Sequence, residues 1–140
     1  MKVFIEQSAA KNEKNIFDKQ TGQFGKTVFT DLTYPYPYGY ILETLAADGE
    51  NLDCYIITDQ AINVSSIVAC EAIGLVEWFE DGQEDHKVLA AFVGETREID
   101  DAVKKRITYF AEHFFDHQPG KKYSMGKFLG KKEANEYITK

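Results

Sequence analysis

The chain of 140 residues carries 23 Asp and Glu against 16 Lys and Arg, a formal net charge of -7. That balance is wrong for a phosphate backbone, so nonspecific nucleic-acid binding is not expected. With 44% hydrophobic and 14% aromatic residues the composition predicts one folded domain over residues 1–140, and no apolar run is long enough to span a bilayer.

In chain order, Val3–Glu6 reads as a first strand and Ser8–Lys14 as a polar loop. Asn15–Gly22 reads as a strand and then a turn at Gly22. Lys26–Leu32, β-branched and aromatic, predicts another strand. The next stretch is Tyr34-Pro-Tyr-Pro-Tyr38-Gly-Tyr40-Ile41. Prolines at alternate positions cannot donate a full ladder, which predicts an edge or a turn-forming segment. Leu52–Thr58 and Ile67–Ala72 are apolar enough for buried strands, and Ile73–Phe79 with Lys87–Val93 predicts a hairpin whose tip, Glu80–His86, is acidic. From Glu98 the period changes. Val103, Ile107, Phe110, Ala111 and Phe114 recur at helical spacing, Asp100 and Asp101 sit where the helix dipole favours them, and Pro119-Gly120 stops the helix. Glu133–Ile138 predicts a short terminal helix. Many short strands followed by a helix suggest a small barrel with helices packed outside it. Met1–Glu6 shows no secretory signal pattern, and Cys54 and Cys70 lie far apart in apolar segments. They are expected to be reduced core thiols of a cytoplasmic protein.

Chemistry concentrates on two acidic turns. In Asp48-Gly-Glu50-Asn-Leu-Asp53, Asp48 and Glu50 are two apart and point the same way in extended chain. Gly49 permits a bend, and Asp53 returns toward them. Converging carboxylates repel unless a hard divalent cation or a group of lysines lies between them. Glu80, Asp81, Glu84 and Asp85, followed by Lys87, form the second group. The first turn is not an EF-hand, because its glycine is misplaced and no helix precedes it.

Three motifs stand in order: Tyr34-Pro-x-x-Tyr38-Gly-Tyr-Ile, then Thr44-Leu-x-x-Asp48-Gly-x-x-Leu-Asp53, then Gly74-Leu-Val-Glu-x-x-x-x-Gly82-x-Glu84-Asp85-x-Lys87. In this the chain resembles the soluble, family I inorganic pyrophosphatases. The resemblance implies a mainly β, α+β fold: an OB-like five-stranded β-barrel flanked by one long and one short α-helix. It also implies magnesium-dependent hydrolysis of pyrophosphate to two phosphates, with manganese as a substitute, by a homo-oligomer. Carried over, Asp48, Asp53, Glu80 and Asp85 would hold metal. Glu50 would stand with them and orient or deprotonate the attacking water. Lys14, Lys26 and Lys87 would meet phosphate oxygens, and Tyr38 would donate its hydroxyl. Glu6 matches an outer acidic position.

Departures from the family pattern are specific. Glu50 and Glu80 stand where aspartates are usual, Lys26 replaces an arginine, and Ile16 takes the place of a glutamate. Phe114-Phe115 occupies the position of a Tyr-Lys pair that grips the outgoing phosphate, and phenylalanine offers neither a donor nor a charge. Two alternatives therefore stay open: a catalytically degenerate relative that binds an anion or a protein, and a phosphohydrolase with a different leaving group. His113 and His117, four apart on the helix, have no evident third ligand and read as surface residues. His86 reads as a solvated loop residue and Trp78 as a core anchor. Tyr34, Tyr36, Tyr38 and Tyr40 read as packing against the barrel.

Overall fold

A computed structural model describes residues 1–30, 32–44, 49–113 and 123–139. The elements in order are β1 (Lys2–Gln7), β2 (Glu13–Phe17), β3 (Phe24–Phe29), β4 (Tyr38–Ile41), β5 (Asp53–Ile56), β6 (Ile67–Glu80), β7 (Gln83–Glu84), β8 (Lys87–Phe92), α1 (Asp101–His113), β9 (Tyr123–Leu129) and α2 (Lys131–Ile138). Strands β1, β4, β5, β8 and β6 pair in succession, and β6 pairs back onto β1, so five strands close into a ring. All these pairings are antiparallel except β5 with β8. The five-stranded OB-like architecture and its long and short helices are therefore present.

Strand alternation gives the ring two faces. Val3 and Ile5 of β1, Cys54 and Ile56 of β5, and Val88 and Ala90 of β8 fill the interior as one cluster, to which α2 adds Ala134. Side chains one position out of phase face outward. Tyr55, Leu89 and Trp78 join Tyr34 and Tyr36 beneath the buried face of α1, formed by Val103, Ile107, Phe110 and Ala111. The Asp100 carboxylate accepts the Val103 amide at 2.9 Å, which fixes where that helix starts. Phe4 and Tyr40 form a separate outer cluster with Phe17 of the β2–β3 hairpin.

Several sequence expectations need correcting. The segment read as two strands, Ile67–Ala72 and Ile73–Phe79, is the single 14-residue strand β6. A bulge between Ala72 and Gly74 shifts the alternation, and a second lies between Val76 and Trp78. The bends let one strand serve β1 at one end and β8 and β9 at the other. Of the edge or turn-forming segment expected of the proline-rich stretch, the second is present: the stretch bends at Pro35 and Tyr36. Its prolines lie in the approach, and β4 proper runs between β1 and β5. Gly39 is required there because a Cβ would run into the Phe4 carbonyl oxygen. Strand β9, absent from the sequence expectations, alternates between half-buried and exposed over Tyr123–Gly126 and loses that phase at the bulge between Val76 and Trp78. His86 is buried, not solvated: its Nδ1 accepts the Trp78 amide at 3.0 Å and its Nε2 lies 3.1 Å from Glu84. Phe114, Phe115 and His117 lie outside the described residues.

Candidate active site

On the outer face of the ring, between the cluster under α1 and the cluster under the hairpin, lies a cleft of about 790 Å³. Its floor follows from strand register. In the parallel pair β5–β8, Asp53 stands directly opposite Lys87, and Asp85 precedes Lys87 by two residues. The Lys87 ammonium therefore binds both carboxylates, with Nζ 2.8 Å from Asp53 Oδ2 and 2.8 Å from Asp85 Oδ2. Lys87 is only 5% exposed, and its Nζ lies 5.4 Å from the Trp78 ring centroid and 5.6 Å from that of Tyr38.

The β2–β3 hairpin forms one wall. Gln7 and Asn15, both buried, fasten it to β1 through reciprocal bonds: Gln7 Nε2 donates to the Asn15 carbonyl at 2.8 Å, and the Asn15 amide donates to Gln7 Oε1 at 2.6 Å. The hairpin brings Lys14, Ile16 and Lys19 to the cleft. At its turn, Asp18 Oδ1 accepts the amides of Gln20 and Thr21, and Gly22 adopts a positive φ of 74°. This turn aims Lys19 back across the cleft, with Nζ 3.1 Å from Glu50 Oε2 and 3.5 Å from Asp53 Oδ1.

The structure thus gathers Lys14, Tyr38, Glu50, Asp53, Glu80, Asp85 and Lys87, together with Glu6, around one cleft. Lys26 does not line it. That residue is exposed on β3, opposite Ile16. Asp48 lies outside the described residues. Sequence reasoning missed Lys19, for which a lysine in a polar turn was the only signal. It also missed the Gln7–Asn15 clasp, whose two members look like ordinary polar residues until the hairpin folds onto β1.

Electrostatics separate two carboxylates that share one lysine. Burial pushes the Asp53 carboxyl up, but Lys87 and Lys19, with a hydrogen bond from Tyr38, outweigh it and hold it below its ordinary value. Burial also pushes up Asp85. Lys87 opposes that shift, Asp53 and Glu80 add to it, and the net direction is upward. Burial raises Glu6 to about 7, against the pull of Lys19. Tyr38 is pushed well above its usual range, first by burial and then by Asp53, so its hydroxyl stays a donor. Burial alone would lower Lys87, but Asp53 and Asp85 reverse that and keep it cationic.

Among the described residues, no group of three His, Cys, Asp or Glu side chains is already assembled to hold a metal. The donor set nevertheless suits a hard divalent cation. It is all carboxylate oxygen, and six carboxylates, Glu6, Asp18, Glu50, Asp53, Glu80 and Asp85, line the cleft against three lysines, Lys14, Lys19 and Lys87.

A family model described as inorganic pyrophosphatase matches residues 3–140. An inorganic pyrophosphatase of Nanoarchaeum equitans is 30% identical, over 96% of this chain and 91% of the relative. One from Geobacillus stearothermophilus is 31% identical, over 99% and 89%. The solved inorganic pyrophosphatase of Coxiella burnetii superposes with a TM-score of 0.89 at 26% identity, covering 99% of this chain and 90% of that one. The match runs through both acidic turns, the ring and the terminal helix, and the chain belongs to the inorganic pyrophosphatase family.

Proposed function

We propose that this chain is an inorganic diphosphatase, splitting pyrophosphate into two phosphates within one domain spanning residues 1–140. The observation that carries the reading is Lys87 joined to both Asp53 and Asp85 at the floor of a cleft that also holds Glu50, Glu80, Lys14 and Tyr38. Asp53, Asp85, Glu50 and Glu80, with Asp48, would hold divalent cations, magnesium first and manganese as a substitute. When bound, these would neutralise pyrophosphate and make a bound water acidic enough to attack at neutral pH.

The chain's own residues do the rest. Lys14 and Lys87 meet phosphate oxygens as fixed positive charges. Two of the three Lys87 donors engage Asp53 and Asp85, which leaves one for a phosphate oxygen. Tyr38, kept protonated and bonded to Asp53 in the metal-free cleft, would turn that hydroxyl to a phosphate oxygen that gains charge as the bridge breaks. Glu50 orients the attacking water and takes its proton. A new P–O bond forms from that water, the bridging P–O bond breaks, and the second phosphate leaves with the bond pair. Lys26, at the hairpin edge, would contribute long-range charge. The enzyme is expected to act as a homo-oligomer in the cytoplasm, which suits two free, buried thiols.

Phosphate release from pyrophosphate, measured with Mg²⁺ or Mn²⁺ for wild type and Asp53→Ala, tests the reading. Turnover by wild type and its loss in the variant are expected. Equal silence of both proteins at high concentration would sink it.

A further inference from the structure

Lys19 and Lys87 both bind Asp53, one on each carboxylate oxygen, yet they are built differently. Lys87 rises from a ring strand, nearly sealed between Trp78 and Tyr38, and has nowhere to go. Lys19 reaches in from a hairpin turn on a four-carbon stem. Its side chain is 22% exposed, and its partner Glu50 is 63% exposed. Its contacts link residues 31 and 34 positions away, tying the hairpin to the acidic turn before β5. Glu50 Oε2, which accepts from Lys19, and Asp53 Oδ1, which pairs with it at 3.5 Å, are the same kind of oxygen that a hard divalent cation needs at about 2.0–2.1 Å. An ammonium within about 3 Å of those two oxygens repels a doubly charged ion approaching them across a short, partly desolvated gap, so the two cations compete for the same oxygens.

We infer that Lys19 is a displaceable internal counter-ion: it neutralises Glu50 and Asp53 in the metal-free protein and competes with a divalent cation for them. Metal binding and release of the Lys19 ammonium are then one event, and Lys19 sets how much metal the protein requires. Lys19 is a positioning residue here, acting through the carboxylates. The inference rests on the diphosphatase reading only for its metal ligands.

The test uses the full chain freed of metal with chelator and titrated with Mn²⁺ alone, followed by calorimetry and by the electron paramagnetic resonance of unbound Mn²⁺. Lys19→Met is expected to bind Mn²⁺ about tenfold more tightly than wild type, the scale on which one adjacent charge alters a carboxylate's cation affinity. Lys19→Arg, which keeps the charge, should stay within about twofold of wild type. In chelator, Lys19→Met should melt below wild type, and saturating Mn²⁺ should close that gap. Mere loosening of the hairpin would weaken or preserve affinity, so tighter binding separates competition from damage. Affinity of Lys19→Met equal to or weaker than wild type overturns the inference. Absence of Mn²⁺ binding by both proteins removes the metal ligands themselves, and the diphosphatase reading falls with them.

Discussion

The inner and outer faces of the five-stranded ring are written on the same strands, one residue out of phase. On β5 and β8 the inner face reads Cys54, Ile56, Val88 and Ala90, all buried and apolar. The outer face begins with Asp53 and Lys87 and continues with Tyr55 and Leu89. Inside, stability comes from excluding water and filling volume. Outside, the ring carries a buried lysine held by two carboxylates, an arrangement that contributes to stability only while all its partners are present. The inner face should tolerate chemistry-preserving change and ignore ions, and the outer face should do the reverse. A one-residue slip in β5 or β8 would exchange the two faces, so the register that builds the core also builds the cleft.

Lys87→Met should show the contrast most strongly. Removing the shared cation leaves Asp53 and Asp85 facing each other, and the metal-free protein should lose about 3–5 kcal/mol of unfolding free energy in denaturant titrations. Divalent cations should restore part of that loss. A variant with unchanged stability in chelator would break the proposed distinction. Ile56→Ala, on the inner face, should lose about 2–4 kcal/mol through the cavity it leaves, with turnover per folded molecule kept and no recovery on adding metal. Recovery by metal would mean that the faces are not separate.

Glu50→Asp sharpens the outer face alone. Shortening this side chain by one methylene draws its carboxylate back by about 1 Å, and kcat should change by roughly tenfold with little change in melting temperature. The smallest effect belongs to Glu6. Its folded pKa of about 7 lies above its ordinary value of 4.5. The folded state therefore binds more protons than the unfolded chain between those limits. The neutral form supports stability at low pH, and that support is lost as pH rises toward and through 7. In chelator, wild type should weaken between about pH 5 and 7, and Glu6→Gln should flatten that slope in a pH series of thermal melts.

The cleft's acidic and aromatic members were legible in the sequence because short spacings fix them. Asp85 and Lys87 are two apart on an extended chain, and Tyr38 stands beside the glycine that lets β4 pass close to β1. The long helix was legible from its apolar period and the acidic pair at its start: Val103, Ile107 and Phe110 share the buried face of α1, and Asp100 proves to cap it. Contacts that depend on folding at long range were not legible. Nothing local to Lys19 shows that a hairpin turn will lay it over Glu50, and nothing local to Gln7 shows that it will pair with Asn15. Strand β6 was divided because its bulge at Ala72–Gly74 breaks the alternation that marks a continuous strand. His86 was misplaced because a run of acidic neighbours suggests solvent, whereas the Trp78 amide draws its ring inward.

The chain's one tryptophan, Trp78, is 2% exposed, and the Lys87 ammonium stands 5.4 Å from its ring centroid. An indole so placed is a native voltmeter. Its excited state has a larger dipole than its ground state, so its emission colour follows the local electric field. A cation entering the cleft or a phosphate meeting Lys87 alters that field without any dye, label or added reporter. The same lysine that binds both carboxylates stands beside the one indole whose emission would report their occupancy.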